Sequence, residues 1–91
     1  MATNFTNRKA AQSLAGQSVL VTLDSTDAAN LDLLTEGMLC TNGSSGKTGT
    51  VGRVDYFGNS FKIKPIQPNR NFDSVSTYGY LAVGETVTVN T

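Results

Sequence analysis

The chain has 91 residues, with seven basic and seven acidic side chains, no histidine, no tryptophan and one cysteine. A domain of this length buries roughly 60–65% of its unfolded surface, enough for one modest core, and the charge balance excludes a global field that would draw it to nucleic acid or an anionic membrane. Cys40 alone excludes an internal disulfide, and without histidine a zinc site would need carboxylates, so a reducing compartment fits best.

No segment approaches the roughly 18 apolar residues of a membrane span, and residues 1–16, MATNFTNRKAAQSLAG, carry no apolar run of signal-peptide length. The expectation is a soluble chain made in a cytoplasm. Charge is nevertheless segregated along it. Asp24, Asp27, Asp32 and Glu36 follow one another, whereas residues 47–70 hold five basic residues against Asp55 alone.

In chain order, residues 1–17 read as an N-terminal arm: Thr6 is placed as an N-cap, Ala10, Ala11 and Leu14 as a thin apolar stripe, and Gly16 as a C-cap of a short helix. A leader that orders only on docking is the alternative. Residues 18–91 read as the folded domain. SVLVTL at 18–23 is a strand, β-branched and apolar on both faces, and so placed centrally or under cover. Residues 24–36 carry Leu31, Leu33 and Leu34 and read either as a helical turn capped by Asp24 or Ser25 or as a loop pinned by leucines. Residues 38–41 form a short strand, and 42–47, NGSSGK, a surface loop.

Residues 48–66, TGTVGRVDYFGNSFKIKPI, are the clearest local signal. They read as a β-hairpin with a two-residue turn at Gly58-Asn59, Gly supplying the positive φ of a type II′ turn. That register sets Tyr56 against Phe61 and Val54 against Ile63 on an apolar face, and Asp55 against Lys62 and Arg53 against Lys64 on a charged one. Pro65 suggests a strand end or an edge. Residues 67–77 read as a loop anchored by Phe72 and Val75. A second hairpin is expected around Gly84-Glu85, pairing Ala82 with Val87 and Tyr80 with Val89 on the core face, with Thr86 and Thr88 outward. The sum is an all-β fold: a small antiparallel β-barrel or sandwich of about six short strands.

Little in the sequence points to catalysis. Residues 43–48, GSSGKT, evoke a phosphate-binding loop, but position 41, where its first glycine belongs, is Thr41, and a strand follows where that motif requires a helix. Cys40 lies in an apolar strand with no histidine to activate it, and the carboxylates match no calcium-loop spacing. No cofactor is expected. The arrangement with weight as a site is the basic and aromatic hairpin: Arg53, Lys62 and Lys64 track a nucleic-acid backbone in this reading while Phe57 stacks a base, with Asp55 and the zero net charge opposing it.

The polar leader, the blocks EGMLCTNG and GTVGRVDYFGNSFKIKPIQP, and the terminal YGYLAVGETVTVN resemble the small β-barrel accessory proteins of tailed-phage heads. The resemblance implies a non-enzymatic decoration or cement protein of the virion that sits on the capsid surface, bridges major-capsid subunits and is a homo-oligomer, a trimer being favoured. It assigns the capsid contacts to the arm and the 42–47 loop, through Phe5, Arg8, Lys9, Leu14, Asn42 and Lys47. Two other classes stand beside it: the nucleic-acid module above, and a peptide-binding adaptor similar to Src-homology-type barrels, with a groove lined by Tyr56, Tyr78 or Tyr80.

Overall fold

The computed structural model describes residues 2–9, 11–12, 19–43, 46, 48–65, 80–81 and 83–91. These form ten elements: β1 Ala2–Thr6, β2 Ala11–Gln12, β3 Val19–Thr22, α1 Ser25–Ala28, a 3-10 turn Leu31–Leu33, β4 Leu39–Asn42, β5 Thr48–Asp55, β6 Ser60–Pro65, β7 Tyr80–Leu81 and β8 Thr86–Asn90. Six strands make one antiparallel sheet in the order β1-β8-β4-β5-β6-β3, and β2 and β7 pair as a separate ribbon. The fold is therefore all-β, as the alternating runs predict. The sheet is not closed into a barrel.

It is nonetheless strongly rolled. Phe5 on edge strand β1 and Phe61 on β6, four places away in the sheet, meet edge to face with ring centroids 5.3 Å apart. A flat sheet would hold strands so placed roughly 19 Å apart, at about 4.8 Å per step. The concave face encloses the core, in which Phe5, Val19, Val21, Cys40, Phe61, Ile63, Leu81, Val87 and Val89 have no exposed surface. Alternation explains the membership: Val19 and Val21 face in while Leu20 faces out, and Val87 and Val89 face in between half-buried threonines.

The two sheet edges are joined by a short clasp. Just past β1, the Arg8 amide donates to the Thr22 carbonyl at 2.7 Å, and the Asn7 side-chain oxygen accepts from the Thr22 amide at 3.1 Å. Asn7 is fully buried. Its Nδ2 donates to the carbonyls of Lys9 and Leu81, its amide to Glu85, and its carbonyl accepts from Gly84. Through its side chain and backbone together, this one residue ties the end of β1 to β3, β7 and the 84–85 turn inside a core where unmet polar groups are costly.

Several expectations are corrected here. Among its described residues the leader shows no helix: Ala2–Thr6 forms β1, which pairs with β8 along its whole length, from Ala2↔Asn90 to Thr6↔Thr86, and so belongs to the main sheet, and Ala11–Gln12 forms β2, while Ala10, Leu14 and Gly16 lie outside the described residues. The strand at 19–22 is an edge strand; Pro65 is the last residue of β6, so of its two expected placements the strand end holds and the edge does not. The second hairpin does not form. Gly84 takes the positive φ of +90° that a reversal needs, but β8 pairs with β1 and β4 while β7 pairs with β2. Phe72, Val75, Tyr78 and Ala82 lie outside the described residues.

The β5–β6 hairpin exists with a longer turn. Asp55, not Phe57, stands opposite Ser60, leaving four residues in the loop. The Asp55 Oδ1 accepts from the Phe57 amide at 3.1 Å and the Gly58 amide at 3.0 Å, an Asx-type turn that the two-residue reading overlooks. The positive φ falls on Asn59, at 51°. Gly58 serves by its lack of a side chain, since a Cβ there would sit 2.6 Å from the Asp55 carboxylate. Val54 consequently pairs with Phe61 and Val51 with Ile63, with a bulge between. Tyr56, expected in the core, is turned out to solvent.

The acidic segment forms one helical turn capped by Asp24, whose carboxylate accepts from the Asp27 amide at 2.9 Å and also pairs with Arg8 at 3.1 Å. That amide first, with the Arg8 charge also contributing, holds the Asp24 carboxyl below its ordinary range, against an opposing effect of desolvation. Asp27 accepts from the Thr6 amide, so the segment is tied to β1 on one side, while Leu31 and Leu34 bury beneath it.

Candidate docking surface

The register of β6 sets Lys62 and Lys64 on the convex face, because Phe61 and Ile63 must turn inward. Leu20 stands directly across from Lys62 on β3, and Thr50 across from Lys64 on β5. Gly52, opened by the bulge, leaves room for both lysines: a Cβ there would lie 3.6 Å from the Lys64 Cε and 3.7 Å from the Lys62 Cβ. At the end of the hairpin the capped turn lifts Tyr56 and Phe57 away from the sheet. Between them runs an open groove of about 490 Å³ lined by Leu20, Arg53, Val54, Asp55, Tyr56, Phe57, Ser60 and Lys62.

Of the hairpin residues singled out from sequence, the structure brings Arg53, Phe57 and Lys62 into this groove and leaves Lys64 just beyond it on the same strand. Phe57 is fully exposed, Tyr56 about half exposed at 55%, and Leu20 exposed at 41%. Asp55 does not pair with Lys62; its carboxylate is spent on the turn amides. Leu20 points outward because period 2 turns the flanking Val19 and Val21 inward, which corrects the expectation of a strand covered on both faces. Tyr56 was not legible, since its direction follows from the Asx turn.

The residues assigned to the arm and loop fare differently. Phe5 is wholly buried against Phe61, and Asn42 is wholly buried in β4, so neither is presented to a partner. Arg8 is half exposed and engaged with Asp24, and Lys9 is exposed. Leu14 and Lys47 lie outside the described residues. In the loop, the amides of Gly43 and Gly46 donate to the carbonyls of Thr86 and Asn42, so neither points to an anion, and residues 48–55 are strand. Cys40 is buried, and desolvation pushes its thiol up to about 12. Among the described residues no cluster of three or more Cys, Asp or Glu side chains is positioned to hold a metal ion, and no helix is long and apolar enough to cross a membrane.

No protein-family model, curated protein or solved structure matches this chain.

Proposed function

We propose that this chain is a non-enzymatic interaction protein, a virion accessory that binds and stabilises a capsid lattice, and that it docks through the tip of the β5–β6 hairpin rather than through an N-terminal arm. The observation that carries the reading is Phe57, a whole phenyl ring held in water at the end of a rigid, side-chain-capped turn. Covering such a ring contributes about 1.5–3 kcal/mol, and the capped turn has already met most of the ordering cost that docking imposes. Tyr56 and Leu20 extend the apolar area along the groove. The virion assignment draws on the resemblance of the blocks at 36–43, 49–68 and 78–90 to phage-head accessory proteins. One small patch per copy suffices on a repeating lattice, where many copies engage together.

The test is co-sedimentation with expanded shells assembled from the major capsid protein encoded in the same genome. The native chain pellets with the shells, and Phe57→Ser with Tyr56→Ser abolishes pelleting without changing the melting temperature. Absence of binding by the native chain overturns the reading.

A second reading is favoured by one specific feature, the gathering of Arg53, Lys62 and Phe57 in one groove: single-stranded nucleic acid tracked by the cations and stacked on the ring. Anisotropy of a labelled oligothymidylate decides between them. A capsid-binding chain gives no shift, and a nucleic-acid module gives binding that weakens steeply with salt.

A further inference from the structure

The bulge in the β5–β6 ladder decides where Arg53 points. Val51 stands opposite Ile63 and Val54 opposite Phe61, so Gly52 and Arg53 share the single place across from Lys62. A regular ladder continued from Val51 would set Arg53 against Phe61, a residue with no exposed surface. The extra residue gives that inward place to Val54, which packs against the core, and turns Arg53 out beside Lys62 in the groove. Like charges directly opposite each other on a sheet cost stability. Among the described residues no carboxylate pairs with either cation, the ion pair there being Arg8 with Asp24. Asp55 lines the same groove, but its Oδ1 accepts the Phe57 and Gly58 amides. Glu36 belongs to the connection whose Gly37 amide donates to the Val51 carbonyl, on the β4 side of β5 and away from Lys62. Lys64 adds a third cation just beyond the groove, its Cε lying 3.6 Å from where a Cβ on Gly52 would stand.

From this charge placement we propose that Arg53 and Lys62 hold a carboxylate of the docking partner, which enters the groove as an extended segment with an acidic and an apolar side chain on one face. A guanidinium offers a carboxylate two parallel donors, and the ammonium adds a point charge beside it. Residues two apart in an extended chain share a face and stand about 7 Å apart, so a carboxylate on the cations carries its apolar neighbour onto the side chains around it. Leu20, Val54, Tyr56 and Phe57 line the same groove and supply that apolar wall. A phosphate backbone would ask instead for cations spread along a track, whereas here they meet at one bulge. The inference rests on the docking reading above for the partner's being a protein, and adds the chemistry by which that partner is recognised.

The test is fluorescence anisotropy of the full chain with a labelled peptide of repeated Glu-Ser-Leu-Ser, which when extended sets glutamate and leucine alternately on one face, against the same peptide with glutamine for glutamate. The native chain binds the glutamate peptide about tenfold more tightly than the glutamine one, and the difference shrinks as salt screens the charges. Arg53→Gln with Lys62→Gln removes the difference and melts at the native temperature. Arg53→Gln alone, which covers a failure of the double variant to fold, reduces it about threefold. Equal affinity of the native chain for the two peptides overturns the site, as does an undiminished difference in the folded double variant. Oligothymidylate bound more tightly than the glutamate peptide at the same salt also overturns it, in favour of nucleic acid. Pelleting with capsid shells separates this inference from the reading beneath it. A native chain that pellets but does not distinguish the peptides overturns the carboxylate site and leaves the docking tip standing. One that distinguishes the peptides but ignores the shells keeps the site and overturns the capsid partner.

Discussion

The side-chain oxygen of Asn7 accepts the backbone amide of Thr22 at 3.1 Å, and through that bond the first strand of the sheet is tied to the last. β1 and β3 stand at opposite edges, and the roll that lets Phe5 reach Phe61 brings Asn7 within reach of Thr22. Exposed edges invite unwanted pairing with other chains. Here one end of that seam is stitched from within.

Replacing Asn7 by Ala therefore removes the acceptor of the Thr22 amide and the donor to Lys9 and Leu81 together. The expected cost is about 2–4 kcal/mol, the range for leaving buried polar groups unmet. Urea denaturation measures it, and an unchanged midpoint contradicts the clasp.

Deleting residues 1–16 removes β1 and with it Phe5 and the partner of β8 along five residues. Loss of the Phe5 side chain alone costs about 3–5 kcal/mol, a large share of the roughly 5–15 kcal/mol that holds a domain together. The truncated chain is expected to lack a cooperative thermal transition. Circular dichroism with a full-length control checks this, and a truncated chain that melts like the native one returns the leader to the status of an arm.

Gly49 pairs with both Cys40 and Pro65 in the middle of the sheet, where a Cβ would lie 2.6 Å from the Ile63 Cγ2 and 2.6 Å from the Lys64 carbonyl oxygen. Gly49→Ala forces backbone to move and costs about 1–3 kcal/mol. Gly52→Ala, whose Cβ finds its nearest neighbour at 3.4 Å, is tolerated better. Paired melting curves give the order, and equal losses contradict the packing described.

The Cys40 thiol, ordinarily near 9.0, is pushed up to about 12 by burial. In the folded chain it keeps its proton while the unfolded chain begins to release it above pH 9, so stability falls as pH rises from 9 toward 12 and is unaffected by this group at neutral pH. The stability advantage of the native chain over Cys40→Ala accordingly narrows across that window, which denaturation at pH 8 and pH 10.5 reads. A thiol reagent at neutral pH labels Cys40 only as fast as the chain unfolds.

How far the residues announced this architecture depends on how local the deciding interaction is. Val87 and Val89 show their inward direction by alternation with the threonines, whereas SVLVTL, apolar at 19, 20 and 21 alike, does not separate inward Val19 and Val21 from outward Leu20; Asp24 shows its cap by standing before Ser25. Gly84 correctly signals a reversal. Its strands part because β8 finds β1 and β4, pairings of high sequence separation that depend on the rolling of the whole sheet. The groove shows the same division. Arg53, Phe57 and Lys62 are legible as a basic and aromatic group, whereas the outward turn of Tyr56 follows from Asp55 accepting two amides, a choice between turn types separated by little energy. Phe5 and Asn42 misled because a polar neighbourhood in sequence says nothing about the face on which a strand residue falls.

Hydrogen–deuterium exchange of the chain bound to capsid shells tests the central claim most directly, because it reports where contact is made. Protection gained at residues 55–60 on binding, lost in Phe57→Ser, is the predicted result. Protection confined to residues 2–9 or to the loop after β4, with 55–60 exchanging as in the free chain, would contradict docking through the hairpin tip.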